Sequence, residues 1–156
     1  MLTYQIPGRD TIELNYLVLD FNGTVAIDGQ LIEGVKERLI ALSKHIKLYI
    51  ATADTHGNVR QACQDIPVQI HTFKSQAAAK EKLKLISQLG QDRCVCMGNG
   101  YNDLLMIQAA KLSIAVMEEE GLYSQCLLHA DLVVKSILDG LDLLLKEDRL
   151  RASLRA

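Results

Sequence analysis

The sequence predicts an α/β fold in three layers, a Rossmann-like parallel sheet with helices on both faces. Three observations predict it. Short apolar runs alternate with segments of helical periodicity, the order that βαβ units produce. Polar residues of catalytic type follow several of those runs directly, at the strand ends where open α/β sheets hold their ligands. The 156 residues are 49% hydrophobic and 23% charged, the composition of one ordinary globular domain spanning 1–156.

Strands are expected at 16–20, 47–52, 67–72, 93–98, 112–116 and 131–134, where the apolar runs fall. Helices are expected at 33–44, 57–64, 76–89, 102–110, 120–129 and 136–147. Ahead of them, Leu2 to Ile6 and Thr11 to Asn15 flank the turn-rich tetrad Pro7-Gly8-Arg9-Asp10, which reads as an antiparallel N-terminal β-hairpin covering a sheet edge. Next, Val25-Ala26-Ile27 and Gln30-Leu31-Ile32 bracket Asp28-Gly29, a pair suited to a type I′ turn because both central positions need positive φ. This second hairpin is expected to form a small flap over about 25–32. Between it and the strand at 47–52 there is room for one helix, so no cap domain is expected there.

A net charge of −2 and a pI near 6.1 give no basic footprint, which argues against nucleic acid or an anionic membrane as partner. The basic end, Arg149, Arg151 and Arg155, reads as a solvated tail. No apolar run is long enough to span a membrane, and Met1 to Arg9 does not read as a leader, so a cytoplasmic location is expected. Cys63, Cys94, Cys96 and Cys126 have neither metal-knuckle nor CxxC spacing; they read as reduced core thiols.

Chemistry concentrates at four places. Asp20-Phe21-Asn22-Gly23-Thr24 follows the run Tyr16-Leu17-Val18-Leu19, putting a carboxylate, a turn glycine and a hydroxyl at a strand end. Thr52-Ala53-Asp54 follows the second central run, with a helix start beyond it that would favour anions; Asp54 is expected to organise this loop. Met97-Gly98-Asn99-Gly100-Tyr101-Asn102-Asp103 follows another. The fourth is a lysine. Ala78, Leu85, Ile86 and Leu89 mark the buried face of the 76–89 helix, and Lys82 lies on it while Lys80 projects roughly opposite, at about 100° per residue. A lysine on an apolar face must meet anions. Counting back from Asn99 without a gap favours Lys80 instead. His56, in the 54–58 loop, is placed where it could touch a leaving group. His45, His71 and His129 read as surface or satisfied core residues.

These motifs, in this order, resemble the haloacid dehalogenase (HAD) superfamily of phosphohydrolases, without a cap. More narrowly they are similar to the phosphorylation domain of P-type ATPases. The resemblance implies that Asp20 is a nucleophile forming an aspartyl phosphate, and that Lys82 clamps the phosphoryl group. It implies that Gly23, Thr24, Thr52 and Ala53 surround the phosphate. It also implies Mg2+, held by the Asp20 side chain, the Asn22 backbone carbonyl, Asn99 and Asp103. A carboxylate attacking an anion needs such cationic screening.

Two positions depart from the pattern. Hydrolytic relatives carry an aspartate acid/base where this chain has Asn22, and losing a positioned acid/base costs roughly 10² to 10⁴-fold in rate. Asn99 stands where a metal-binding aspartate is usual, which removes one charge. Both are followed by glycine, so deamidation would restore an acid. The expected function is a slow Mg2+-dependent phosphohydrolase acting on a small phosphoester or acyl phosphate. Its open mouth suits a large substrate or a homo-oligomer. The alternative is a degenerate phosphate-binding or regulatory module. A third reading, a phosphoryl-transfer module serving a separate membrane pump, lacks a nucleotide-binding insertion.

Overall fold

The computed structural model describes every residue except Thr55 and His56. Strands β1 (Leu2–Tyr4) and β2 (Ile12–Leu14) form the N-terminal hairpin, and β3 (Tyr16–Leu19) opens the main sheet. The flap hairpin, β4 (Ala26–Ile27) and β5 (Gln30–Leu31), follows. Then come α1 (Val35–Ser43), β6 (Lys47–Thr52), α2 (Val59–Ala62), β7 (Val68–Thr72), α3 (Ala78–Leu89) and β8 (Cys94–Gly98). The chain continues through α4 (Leu104–Ala109), β9 (Leu112–Val116), α5 (Ser124–His129), β10 (Leu132–Val134), α6 (Ile137–Leu145) and α7 (Glu147–Leu154).

The main sheet has six strands in the order β10-β9-β8-β3-β6-β7, and every neighbouring pair is parallel. Period-two alternation in the strands divides the core into two halves. Leu17, Leu19, Leu48, Ile50, Val95, Met97, Leu112, Ile114 and Val116 pack with α1, α2, α6, α7 and the hairpins. Val18, Tyr49, Ala51, Cys94, Cys96 and Ala115 pack with α3, α4 and α5. This is the Rossmann-like three-layer arrangement read from the sequence. All four cysteines are free and buried. Burial pushes the Cys63, Cys94 and Cys126 thiols up to about 11, so they are protonated at neutral pH.

The flap turn has Asp28 at φ 51° and Gly29 at φ 80°, the positive pair that a type I′ turn requires.

Four expectations are corrected. The N-terminal hairpin pairs with neither edge strand of the main sheet, β10 or β7. It packs Tyr4, Ile6, Ile12 and Leu14 into the α1/α6 side of the core, and the Tyr4 hydroxyl donates to the Leu144 carbonyl at 2.7 Å. The basic end is no tail: 147–154 is helical because Leu150 and Leu154, one turn apart, bury on the same core. Helix α2 covers four residues rather than 57–64. Helix α5 starts at Ser124 rather than 120, since a turn closed by Gly121 N–H donating to Glu118 O, with Gly121 at φ 90°, occupies the preceding residues. Among the described residues no helix is long and apolar enough to cross a membrane.

Candidate active site

Strand β3 lies between β6 and β8, with Leu19 paired to both Ile50 and Met97. Asp20 therefore leaves the sheet at its centre, between the ends of β6 and β8, and its N–H donates to Met97 O at 3.0 Å. The Thr52 loop stands on one side and the Gly98 to Asp103 loop on the other. A parallel sheet delivers all three to the same rim, which is why residues so distant in sequence can meet.

The Lys82 side chain is 1% exposed and reaches this point from α3. Its ammonium donates to Asp20 Oδ1 at 2.7 Å, Asp103 Oδ1 at 2.7 Å and Asn102 Oδ1 at 2.9 Å. Those three bonds use all three of its protons. Lys80, two residues away, is exposed. Asn102 belongs to the Gly98 to Asp103 motif, but its bond to Lys82 has no counterpart in the sequence pattern.

Asp103 is fully buried, and its other oxygen, Oδ2, accepts from the Asn99 N–H at 3.0 Å and the Gly100 N–H at 2.9 Å. The loop is thus wound around this carboxylate. A Cβ at position 98 would stand 2.5 Å from Asp103 Cγ, so only glycine fits there. Thr24 ties the other side: its hydroxyl lies 3.3 Å from Asp20 Oδ2 and 3.1 Å from Asn99 Oδ1. The Asn99 amide also donates to Gly121 O at 3.0 Å. Gly23, at φ 79°, packs so closely that a Cβ there would lie 2.5 Å from Asn99 Nδ2.

Thr52 Oγ1 accepts from the Asp54 N–H at 3.0 Å, and Asp54 Oδ1 accepts from the Val59 N–H at 3.2 Å. Asp54, at φ 50°, organises its loop as expected. The helix start after Thr52 and Ala53 does not adjoin them, since α2 begins only at Val59. His56 lies outside the described residues. Two contacts of the flap were not foreseen: Asn58 Nδ2 donates to Gly29 O at 2.7 Å, and the Asp28 N–H to Glu120 Oε2 at 3.4 Å.

Burial and the nearby Asp103 charge push the Asp20 carboxyl up to about 7, and Lys82 opposes them only in part. For Lys82, burial favours the neutral amine, but Asp20 and Asp103 outweigh it and hold the ammonium above its ordinary range. The lysine is charged throughout the physiological range.

A hard cation could use the oxygens around Thr24. One hydroxyl proton cannot serve both Asp20 Oδ2 and Asn99 Oδ1, so one of these oxygens keeps an open lone pair. Asn22 Oδ1 is also buried without a partner. Such an all-oxygen set fits Mg2+ in kind, with less charge than a carboxylate-rich site supplies. Among the described residues no three His, Cys, Asp or Glu side chains group to hold a metal. Asp103 accepts from Lys82 and from two backbone amides.

Known proteins share this arrangement in fold. No family model matches the chain. The structure of 3-deoxy-D-manno-octulosonate 8-phosphate phosphatase from Moraxella catarrhalis, in complex with magnesium ion, phosphate ion and KDO, superposes with a TM-score of 0.69 at 20% identity, covering 91% of this chain and 94% of that one. The cobalt-bound phosphatase from Haemophilus influenzae gives 0.73 at 13% identity, covering 92% and 94%. A Legionella pneumophila protein assigned to HAD subfamily III A gives 0.66 at 20%, covering 90% and 86%. The fold is therefore that of the HAD superfamily. In sequence, an uncharacterized protein of Methanocaldococcus jannaschii is 44% identical over 78 residues, 47% of this chain and 84% of that protein. A second uncharacterized protein of that organism is 54% identical over 39 residues, 25% of this chain and 89% of its own length. The chain belongs to the family of the first of these archaeal proteins, on the HAD fold.

Proposed function

We propose that this protein is a Mg2+-dependent phosphohydrolase that acts on a small phosphoester or acyl phosphate through an aspartyl phosphate on Asp20. The observation that carries the reading is the meeting of Asp20, Lys82 and Asp103 at one strand-end crevice, with Thr24 and Asn99 beside them. That the HAD-fold neighbours include phosphatases agrees with it. The chain is read as acting as one capless unit over 1–156.

Asp20 attacks phosphorus through one carboxylate oxygen while the bond from phosphorus to the leaving oxygen breaks. Water then attacks the acyl phosphate, releasing phosphate and restoring the carboxylate. Lys82 stabilises the ionised Asp20 and fixes its rotamer. The Thr52 hydroxyl, whose oxygen already accepts from Asp54, has its proton left to donate to a phosphoryl oxygen. Bound Mg2+ would supply charge neutralisation between nucleophile and substrate. Asp20, the Asn22 backbone carbonyl, Asn99 and Asp103 would hold it. Asp103, a metal ligand by the resemblance, also braces Lys82 and the Asn99 loop.

Asn22 has no proton to give the leaving group, so substrates whose leaving oxygen departs as a stable anion are favoured. Purified protein should release phosphate from an aryl phosphate only with Mg2+, and Asp20→Ala should abolish that release. The second reading, a binding module without turnover, draws on the amides at 22 and 99. It predicts phosphate binding that survives while phosphate release is absent at every metal concentration.

A further inference from the structure

We infer that Tyr101 and Tyr123 form a ledge for the leaving group, and that the substrate is a phosphate monoester of an uncharged or cationic ring-bearing moiety. The inference rests on the phosphohydrolase reading for its reaction and on the geometry of the mouth for its substrate class. Tyr101 sits between two residues that are both locked into the site. The Gly100 N–H donates to Asp103 Oδ2, and Asn102 Oδ1 accepts from the Lys82 ammonium. In the 3-10 turn Tyr101–Asp103, successive side chains diverge by roughly 120°. With Asn102 turned inward to Lys82, Tyr101 diverges from that buried direction and stands 72% exposed at the rim of the loop.

An aromatic side chain so exposed leaves a large apolar face in water, here on the loop whose Gly100 and Asn102 bond Asp103 and Lys82. It is held in place all the same. The Tyr123 ring lies 5.2 Å from it at an interplanar angle of 53°, and the Tyr123 N–H donates to Asn99 O at 2.8 Å. Both rings are thus anchored through their own backbone segments to the loop that carries Asn99 and Asp103. A ring esterified to a phosphate bound at Asp20 would find an apolar face there.

Charge narrows the class. Gly121 O accepts from the Asn99 amide, which brings the loop carrying Glu119 and Glu120 against the site. Glu119 is exposed, and Glu120 reaches the flap at Asp28. A leaving group bearing its own carboxylate would meet this acidic rim unfavourably. The KDO 8-phosphate of the neighbouring phosphatases, a sugar acid ester, is therefore disfavoured here.

The test does not require turnover. Phenylphosphonate and methylphosphonate, which cannot be hydrolysed at phosphorus by this route, are titrated calorimetrically with Mg2+ into wild type, Tyr101→Ala and Tyr101→Phe. The ledge requires phenylphosphonate to bind more tightly than methylphosphonate by roughly fivefold to tenfold, the scale of one aromatic contact. That preference should vanish in Tyr101→Ala and persist in Tyr101→Phe. Carboxyphenylphosphonate should bind more weakly than phenylphosphonate, and Glu119→Gln should narrow the gap. A phenyl preference that is absent, or that survives in Tyr101→Ala, overturns the inference. Failure of the phosphohydrolase reading shows separately, as no phosphate release from phenyl phosphate while the phosphonate preference holds.

Discussion

Lys82 bridges two carboxylates: its ammonium stands 2.7 Å from both Asp20 Oδ1 and Asp103 Oδ1, with all three side chains almost wholly out of solvent. One cation thus offsets two anions that could not otherwise share this depth. Replacing it, as in Lys82→Ala, leaves the carboxylates buried without a counter-charge. Breaking a buried ion pair from one side costs about 3–5 kcal/mol. Urea unfolding of the metal-free protein should show a loss of that order for Lys82→Ala and only a small change for the exposed Lys80→Ala.

Turnover should respond to Asn22→Asp. If proton supply to the leaving group limits the reaction, restoring a carboxyl there should raise kcat for poor leaving groups by roughly 10² or more. The gain should be small for nitrophenyl phosphate, whose leaving oxygen needs no proton. A steady-state comparison of alkyl and nitrophenyl esters reads the difference directly.

Asp20 and Asp142 should give opposite pH signatures. The folded Asp20 carboxyl titrates at about 7, above the ~3.9 of an unfolded aspartate, so folding binds a proton. Its contribution is fully present below ~3.9 and is lost as pH rises through about 7. Asp142 is held below the ordinary range: burial opposes its ionisation, but Arg38, bonded to it at 2.9 and 3.3 Å, prevails with help from Lys146. Its contribution is present above ~3.9 and is lost as pH falls through the lower folded value. Chemical unfolding of metal-free protein across pH should show Asp20→Asn flattening the slope between about 4 and 7, and Asp142→Asn flattening the slope below about 4.

The two Asn-Gly pairs should resist deamidation while the protein is folded. Succinimide formation needs the following backbone nitrogen to attack the side-chain amide. Gly23 N–H is bonded to Ala26 O at 2.8 Å, and Gly100 N–H to Asp103 Oδ2 at 2.9 Å. Conversion of Asn22 or Asn99 to an acid should therefore not be a route to an active form while the protein is folded. Peptide mapping after prolonged incubation should find both asparagines intact in native protein and converted in urea.

The fold was legible because its signals are local and repeated. Apolar runs marked all six strands of the main sheet, and Asp28-Gly29 marked the flap. The inward phase of Lys82 followed from Ala78, Leu85 and Ile86. What escaped depends on tertiary packing. Leu150 and Leu154 make α7 a helix only because a core lies beneath them, and three nearby arginines masked that signal. Nor can spacing say how Asp103 divides its two oxygens between Lys82 and the backbone. The Tyr101–Tyr123 pairing joins loops from different strands and leaves no periodic trace.

The most direct measurement is trapping of a phosphoryl mimic at Asp20. With Mg2+ and beryllium fluoride, 19F NMR of the wild-type protein should show one bound species, absent in Asp20→Ala and absent without the metal. Equal uptake by Asp20→Ala, or none by wild type at saturating Mg2+, would contradict the assignment of Asp20 as the phosphoryl acceptor.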